Sequence, residues 1–211
     1  MNSLVSCRAR GFTLLELLIT IALVVVLATL ALPGMQSFFD RERLIGATEQ
    51  VYSHLQQARI EAIARSTNVH VNFKIQNDNF KYGMNQDSGC DLDNPSECYL
   101  LVDEGNETVD VNDRVNMVFD VAVYQNIAAE LLDANAIDTN SDGVPDNYDF
   151  EIAFNSLRGT AEFTPDPGVD VPVEIRFTSD VSDRQLSVTV GPLGQIGVCS
   201  PNDTVDGYRK C

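Results

Sequence analysis

Asp138, Asn140, Asp142, Asp146 and Asp149 place side-chain oxygens at positions 1, 3, 5, 9 and 12 of one stretch. Gly143 stands at position 6, and the Val144 main-chain carbonyl is available at position 7. A hard cation asks for this set: carboxylates, an amide and a carbonyl wrapped around the ion, with glycine where the chain turns sharply. A polar Asn/Asp/Gly turn that holds no metal shares the composition. Five donors in step with the glycine favour the cation, so Ca2+ is the expected cofactor of the 138–149 loop.

A second arrangement invites chemistry on the chain itself. Arg10-Gly-Phe-Thr-Leu-Leu-Glu16 opens an apolar run that ends at Leu32. Phe12 to Leu32 is 21 residues, about 31 Å as a helix and enough to cross a bilayer. A secretory signal has a shorter apolar core followed by a small-residue cleavage site. Here the candidate processing point, Gly11–Phe12, precedes the apolar run, so cutting there removes the leader and keeps the helix. Glu16 is costly in that setting: a carboxylate at mid-membrane depth costs about 2.5–3.5 kcal/mol. The amine that cleavage would free on Phe12 lies within about one helical turn of Glu16. It is a natural partner, either within the chain or between neighbouring subunits. Arg8 and Arg10, with no acid in the leader, keep that end inside and place the remainder outside the cytoplasm.

Cysteine usage agrees with export. Cys7 leaves with the leader, and Cys90, Cys98, Cys199 and Cys211 remain. An even count in an exported domain favours disulfides, and four cysteines allow three connectivities. The local one, Cys90–Cys98 with Cys199–Cys211, is expected because each pair brackets a polar, turn-rich loop. Zinc is the poorer rival: no CxxC unit is present, and His54 and His70 are far from the cysteines in sequence. No Gly-x-Ser-x-Gly elbow, P-loop or histidine beside a nucleophile appears, so no enzyme activity is expected.

The elements that must position these residues follow from periodicity. Leu44, Ala47, Val51, Leu55, Ala58 and Ala62 recur at helical spacing, which predicts a helix continuing to about Arg65 and packed on a domain. Pro33–Gly34 predicts a bend or a melted turn on the way. Val69, Val71, Phe73 and Ile75 then alternate with polar residues. Further strands are predicted at 99–102, 117–123, 150–154, 174–178, 186–190 and 196–199. The fold class is α+β, a long N-terminal helix laid on antiparallel sheets.

The N-terminal segment resembles that of type IV pilins and type II secretion pseudopilins, with Gly11, Phe12 and Glu16 at the family's positions. The resemblance implies cleavage after Gly11 by a prepilin peptidase, N-methylation of Phe12, and a docking role for Glu16. Two further pieces are similar to the GspH/FimT group of minor pilins. One is Leu55-Gln-Gln-Ala-Arg-Ile-Glu-Ala-Ile-Ala-Arg65 followed by Asn68-Val-His-Val-Asn-Phe. The other pairs Phe154-Asn-Ser-Leu-Arg-Gly159 with the hairpin Val188-Thr-Val-Gly-Pro-Leu-Gly-Gln-Ile-Gly-Val-Cys199. The stretch 87–149 matches neither and reads as elaboration.

The implied organisation is a prepilin leader at 1–11, a transmembrane and assembly helix at 12–32, and a periplasmic pilin-like head at 33–211. The implied function is a minor pilin that initiates or caps a type IV pilus. The alternatives are a type II secretion minor pseudopilin, and a calcium-dependent tip adhesin or DNA-uptake competence pilin. The implied partners are the prepilin peptidase, other minor and major pilins or pseudopilins, and the inner membrane, crossed once. Nucleic acid is a poor partner. The formal net charge is −17, and affinity for duplex comes largely from phosphate neutralisation. Between Asp78 and Asp149, 17 acids face only Lys81 and Arg114, and 194–198 has no arginine where many relatives carry several. Arg158, Arg176, Arg184, Arg209 and Lys210 are the residues left to form a basic patch.

Overall fold

A computed structural model describes residues 12–76, 79–86, 89–101, 114–132, 147–164 and 172–211. They fall into two compact units that divide between Phe39 and Asp40.

Helix α1 spans Leu14–Arg65 and so contributes to both units. In the first unit it exposes Leu14, Leu15, Leu17, Leu18, Ile19 and the apolar residues that follow to Leu27. Helical geometry continues through Pro33 and Gly34, so the melted turn expected there does not form; a proline removes one main-chain donor, and the turns on either side keep the helix. Among the described residues no helix is long and apolar enough to cross a membrane.

In the second unit α1 buries one stripe. Leu44, Ala47, Val51, Leu55, Ala58 and Ala62 are all at most 1% exposed, as their spacing predicts. Three of the six are alanines, which let the sheet lie close to the helix axis. The helix ends in a left-handed residue: Ser66 has φ 55. Thr67 N donates to Ala62 O at 3.2 Å and Ser66 N to Ile63 O at 3.4 Å, the paired reverse bonds of a Schellman motif.

Among the described residues eleven strands follow: β1 Val69–Gln76, β2 Asn79–Gln86, β3 Tyr99–Leu101, β4 Arg114–Asn116, β5 Val118–Asp120, β6 Ile127–Leu132, β7 Asn147–Phe154, β8 Ala161–Thr164, β9 Val173–Ser179, β10 Gln185–Val190 and β11 Ile196–Cys199. The first sheet has the order β5-β2-β1-β7-β8, the second β11-β10-β9-β6, and β3 and β4 form a two-stranded sheet. Every ladder is antiparallel.

The stretch predicted as one strand over 117–123 divides into β5 and a 3-10 turn at Val121–Val123. β2, β4, β6 and β8 are strands that periodicity did not predict. One core joins the layers: the helical stripe meets Val69, Val71 and Phe73 of β1, Phe150, Ile152 and Phe154 of β7, Ile175 and Phe177 of β9, and Leu186 and Val188 of β10. The result is an α+β head, with the second unit's part of α1 packed on antiparallel sheets.

Candidate functional site

The N-terminal segment is organised by Thr13. Its Oγ1 accepts from Glu16 N at 3.1 Å, and its carbonyl accepts from Leu17 N at 3.2 Å. Thr13 is therefore the N-cap of α1, and Glu16 occupies the third helical position, as in a Thr-x-x-Glu capping box. The spacing is legible in the sequence and explains why the helix starts at Leu14. An acid in the first turn also faces the positive end of the helix dipole. Glu16 has no ion partner among the described residues. Phe12 is 83% exposed, and Gly11 lies outside the described residues.

The motif pieces that are far apart in sequence meet in the head. Arg59, from the second half of α1, donates from Nε to the carbonyl oxygen of Gly159 at 3.1 Å. Gly159 closes the β7–β8 turn with φ +62, and Gly194 turns the β10–β11 hairpin with φ +75. A Cβ on Gly194 would overlap the Gly159 carbonyl oxygen and lie 3.1 Å from Arg59 Nε. Only glycine permits both the left-handed backbone and the approach. Asn155 holds the turn from within, accepting from Leu157 N at 3.0 Å and bonding Gly159 N through its main-chain oxygen at 2.8 Å. Asn68 Oδ1 accepts from Ser156 N at 2.9 Å, and Ala161 N donates to Pro192 O at 3.0 Å. The junction binds one helix to two sheets. Its work is architectural.

A second set of bonds ties the helix to the β9–β10 turn and the C-terminal loop. Asp40, 4% exposed, accepts from Ser179 Oγ at 2.7 Å and from Ser182 Oγ. Arg184 Nη1 lies 3.7 Å from the same carboxylate. Tyr208 donates its hydroxyl to Glu49 at 2.7 Å; burial, then that carboxylate, pushes its pKa up to about 12. Arg41 reaches the Asp206 carbonyl at 3.0 Å. His54 Nδ1 and the Tyr82 hydroxyl are 2.7 Å apart, and the His54 ring lies 3.9 Å from that of Phe119. Burial lowers the pKa of His54 and raises that of Tyr82, so the imidazole is neutral and Nδ1 accepts.

The outward face of the first sheet is polar. Asn72 of β1 pairs with Gly83 of β2 and Glu151 of β7, and His70 pairs with Asn85 and Ala153. Glu151 accepts from Asn72 Nδ2 at 3.0 Å and meets His70 Nδ1 at 2.9 Å. Its pKa is lowered, first by His70 and then, against the opposing effect of burial, by Asn72. The loop closed by Cys90–Cys98 covers this face: Leu92 and Cys98 abut Gly83, Cys90 N donates to Asn72 Oδ1 at 2.9 Å, and Lys74 pairs with Asp93. Beside it, Asn85, Asn94, Ser96, Glu97, Tyr99 and Arg114 line an open cleft of about 420 Å³. Cys199–Cys211 closes the C-terminal loop, with 4.9 Å between Cα atoms; the first pair is separated by 5.2 Å. Both are the local pairs.

Asp138, Asn140, Asp142, Val144 and Asp146 lie outside the described residues, and Asp149 is within β7, opposite Lys74. No group of three or more metal-binding side chains gathers among the described residues. The expected basic patch loses two members: Arg176 pairs with Glu174 at 2.9 Å and Glu130 at 3.5 Å, and Arg184 faces Asp40. Acid-rich strands and turns supply the carboxylates that claim both.

Comparison with known proteins gives two sequence-model matches. The Prokaryotic N-terminal methylation motif matches residues 6–32, and Type II transport protein GspH matches residues 47–194, a span that holds Arg59, Gly159 and Gly194. No curated protein matches by sequence. Among solved structures, the chain is similar to the minor pseudopilin EpsH from the Type 2 Secretion System of Vibrio cholerae, with 12% identity, a TM-score of 0.41, and 75% of this chain and 97% of that chain covered. It is also similar to the type IV minor pilin FimU of Pseudomonas aeruginosa PAO1, with 13% identity, a TM-score of 0.38, and coverage of 76% and 91%. Both likenesses are loose.

Proposed function

The chain belongs to the Type II transport protein GspH family, and from that premise we propose that it is a minor pilin that initiates or caps a type IV pilus. It waits in the inner membrane with its head in the periplasm, is cut after Gly11 by prepilin peptidase, is methylated on Phe12, and joins other pilins through its apolar helix. The observation that carries this reading is the first unit: a methylation motif over 6–32 leads into a helix whose apolar side chains from Leu14 to Leu27 have no cover in the monomer. Such a surface needs lipid or neighbouring helices. Glu16, set in the first turn by the Thr13 cap, then meets the freed amine of Phe12 or of a neighbour's equivalent.

Mass spectrometry of the mature N-terminus, with and without the peptidase, tests the first step. The expected result is a chain starting at methylated Phe12 only when the peptidase is present; an uncut chain refutes the reading. Glu16→Ala should process normally and fail to enter the fibre, and wild-type incorporation would remove the docking role.

A second reading is a minor pseudopilin of type II secretion, favoured by the description of the matched family. Deleting the gene and assaying surface pili against secreted enzymes separates the two. The 138–149 loop supports Ca2+ binding through its donor spacing, with Asp138, Asn140, Asp142, Asp146, Asp149 and the Val144 carbonyl as ligands. Terbium luminescence of the purified chain, competed by calcium and abolished in Asp142→Ala, is the expected signature.

A further inference from the structure

The cleft lined by Asn85, Asn94, Ser96, Glu97, Tyr99 and Arg114 holds hydrogen-bonding groups that no partner among the described residues takes. Asn85 is 8% exposed. Its Oδ1 accepts from Gln86 N at 2.9 Å, and its Nδ2 has no partner among the described residues. A buried amide donor without an acceptor carries an uncompensated desolvation cost, and Asn85 is part of the cleft wall. Arg114 stacks its guanidinium over the Tyr99 ring at 4.4 Å, and none of its N–H groups meets an acceptor among the described residues. Glu97 spends one oxygen on Asn94 Nδ2 at 2.6 Å, and Ser96 donates to Asn94 Oδ1 at 2.7 Å. The second Glu97 oxygen and the Tyr99 hydroxyl have no such use among the described residues.

We propose that this cleft binds a neutral saccharide. Its unspent groups are mixed: donors on Asn85, Arg114 and Tyr99, an acceptor on Glu97. A sugar hydroxyl both donates and accepts, so adjacent hydroxyls satisfy such a set, whereas an anion satisfies only the donors. Glu97 at the site and a net charge of −17 on the chain disfavour an anion further. An apolar ligand would leave the same groups unpaired. The volume, about 420 Å³, is within the range of small-ligand sites and suits a mono- or disaccharide. One face of Tyr99 is covered by Arg114, so recognition falls to hydrogen bonds more than to ring stacking. The disulfide loop gives the site rigidity: Cys98 is fully buried on Gly83, directly before Tyr99. The inference goes beyond assembly and holds for a head displayed on either kind of fibre.

Saturation-transfer NMR on the full chain tests it, in lauryldimethylamine oxide because that detergent has no sugar headgroup. The probes are glucose, galactose, mannose, N-acetylglucosamine, lactose and chitobiose, with glucuronate and galactose 6-sulfate as charged counterparts. At least one neutral probe should receive saturation. Its Kd should rise at least tenfold in Asn85→Asp, which keeps the shape and removes the donors. Arg114→Gln, at an exposed position that tolerates change, should weaken binding similarly, with circular dichroism unchanged. No transfer to any neutral probe overturns the proposal. So does binding that is unchanged in Arg114→Gln, or binding of charged probes alone that fades with salt.

Discussion

Gly194→Ala tests the junction of helix and sheets most directly. The backbone there has φ +75, a region that costs a side-chain-bearing residue about 1–2 kcal/mol. The new Cβ would also overlap the Gly159 carbonyl oxygen, so the β7–β8 turn must move away and surrender its bond from Arg59. A hydrogen bond from a charged donor is worth about 1.5–3 kcal/mol. Together these give roughly 3–5 kcal/mol, or about 6–20 °C in Tm for a chain of this size. Gly207→Ala is the control. Its φ is +96, yet a Cβ there would meet nothing within 4 Å, so backbone strain alone applies, about 1–2 kcal/mol. Thermal unfolding of both variants, followed by circular dichroism in the same detergent, gives the comparison. If Gly194→Ala melts within 2 or 3 °C (roughly 1 kcal/mol) of Gly207→Ala, the contact between the two turns does not bear weight. If Gly194→Ala instead shows the full loss, adding Arg59→Met to it should cost little more, since the bond it removes is already broken.

Three other perturbations have signs set by the structure. Ser66→Gly relieves the left-handed C-terminal residue of α1 and should raise stability by about 1 kcal/mol, read from the denaturant midpoint. Asp40→Ala removes the acceptor of two serine hydroxyls and the neighbour of Arg184 and should cost about 2–4 kcal/mol, with Asp40→Asn milder. His54 has its folded pKa lowered from 6.5 by burial, so below about 6.5 the unfolded chain binds the proton more readily. Stability should fall from pH 7.5 to 5.5, and His54→Phe should flatten that slope. Glu151, also lowered by its partners, adds stability above its ordinary pKa that is lost as pH falls through the folded value.

Much of the head was legible as periodicity. The buried stripe from Leu44 to Ala62 and the alternation from Val69 to Ile75 are local patterns, and local patterns survive without an alignment. β6 was not legible because Ile127-Ala-Ala-Glu-Leu-Leu132 is made of good helix formers; pairing with β9 overrides that preference. β2 alternates Phe80, Tyr82 and Met84 inward, but Asn79, Gly83, Asn85 and Gln86 give it the composition of a turn. At the junction, the residue types were visible as motifs, but their meeting was not: Arg59 and Gly159 are separated by 100 positions, a distance only the fold closes. The saccharide cleft was hidden for the same reason, since Asn85 and Arg114 are brought to one wall by pairing and disulfide together.

The chain between Gln86 and Asn147 contributes β5 to the rim of one sheet and β6 to the rim of the other. β5 has three residues where β2 has eight, and a short rim strand offers few open main-chain groups to a passing strand. Where copies of a chain meet at high local concentration, a long open rim invites fusion of sheets. In that sense β5 is a hem on the first sheet.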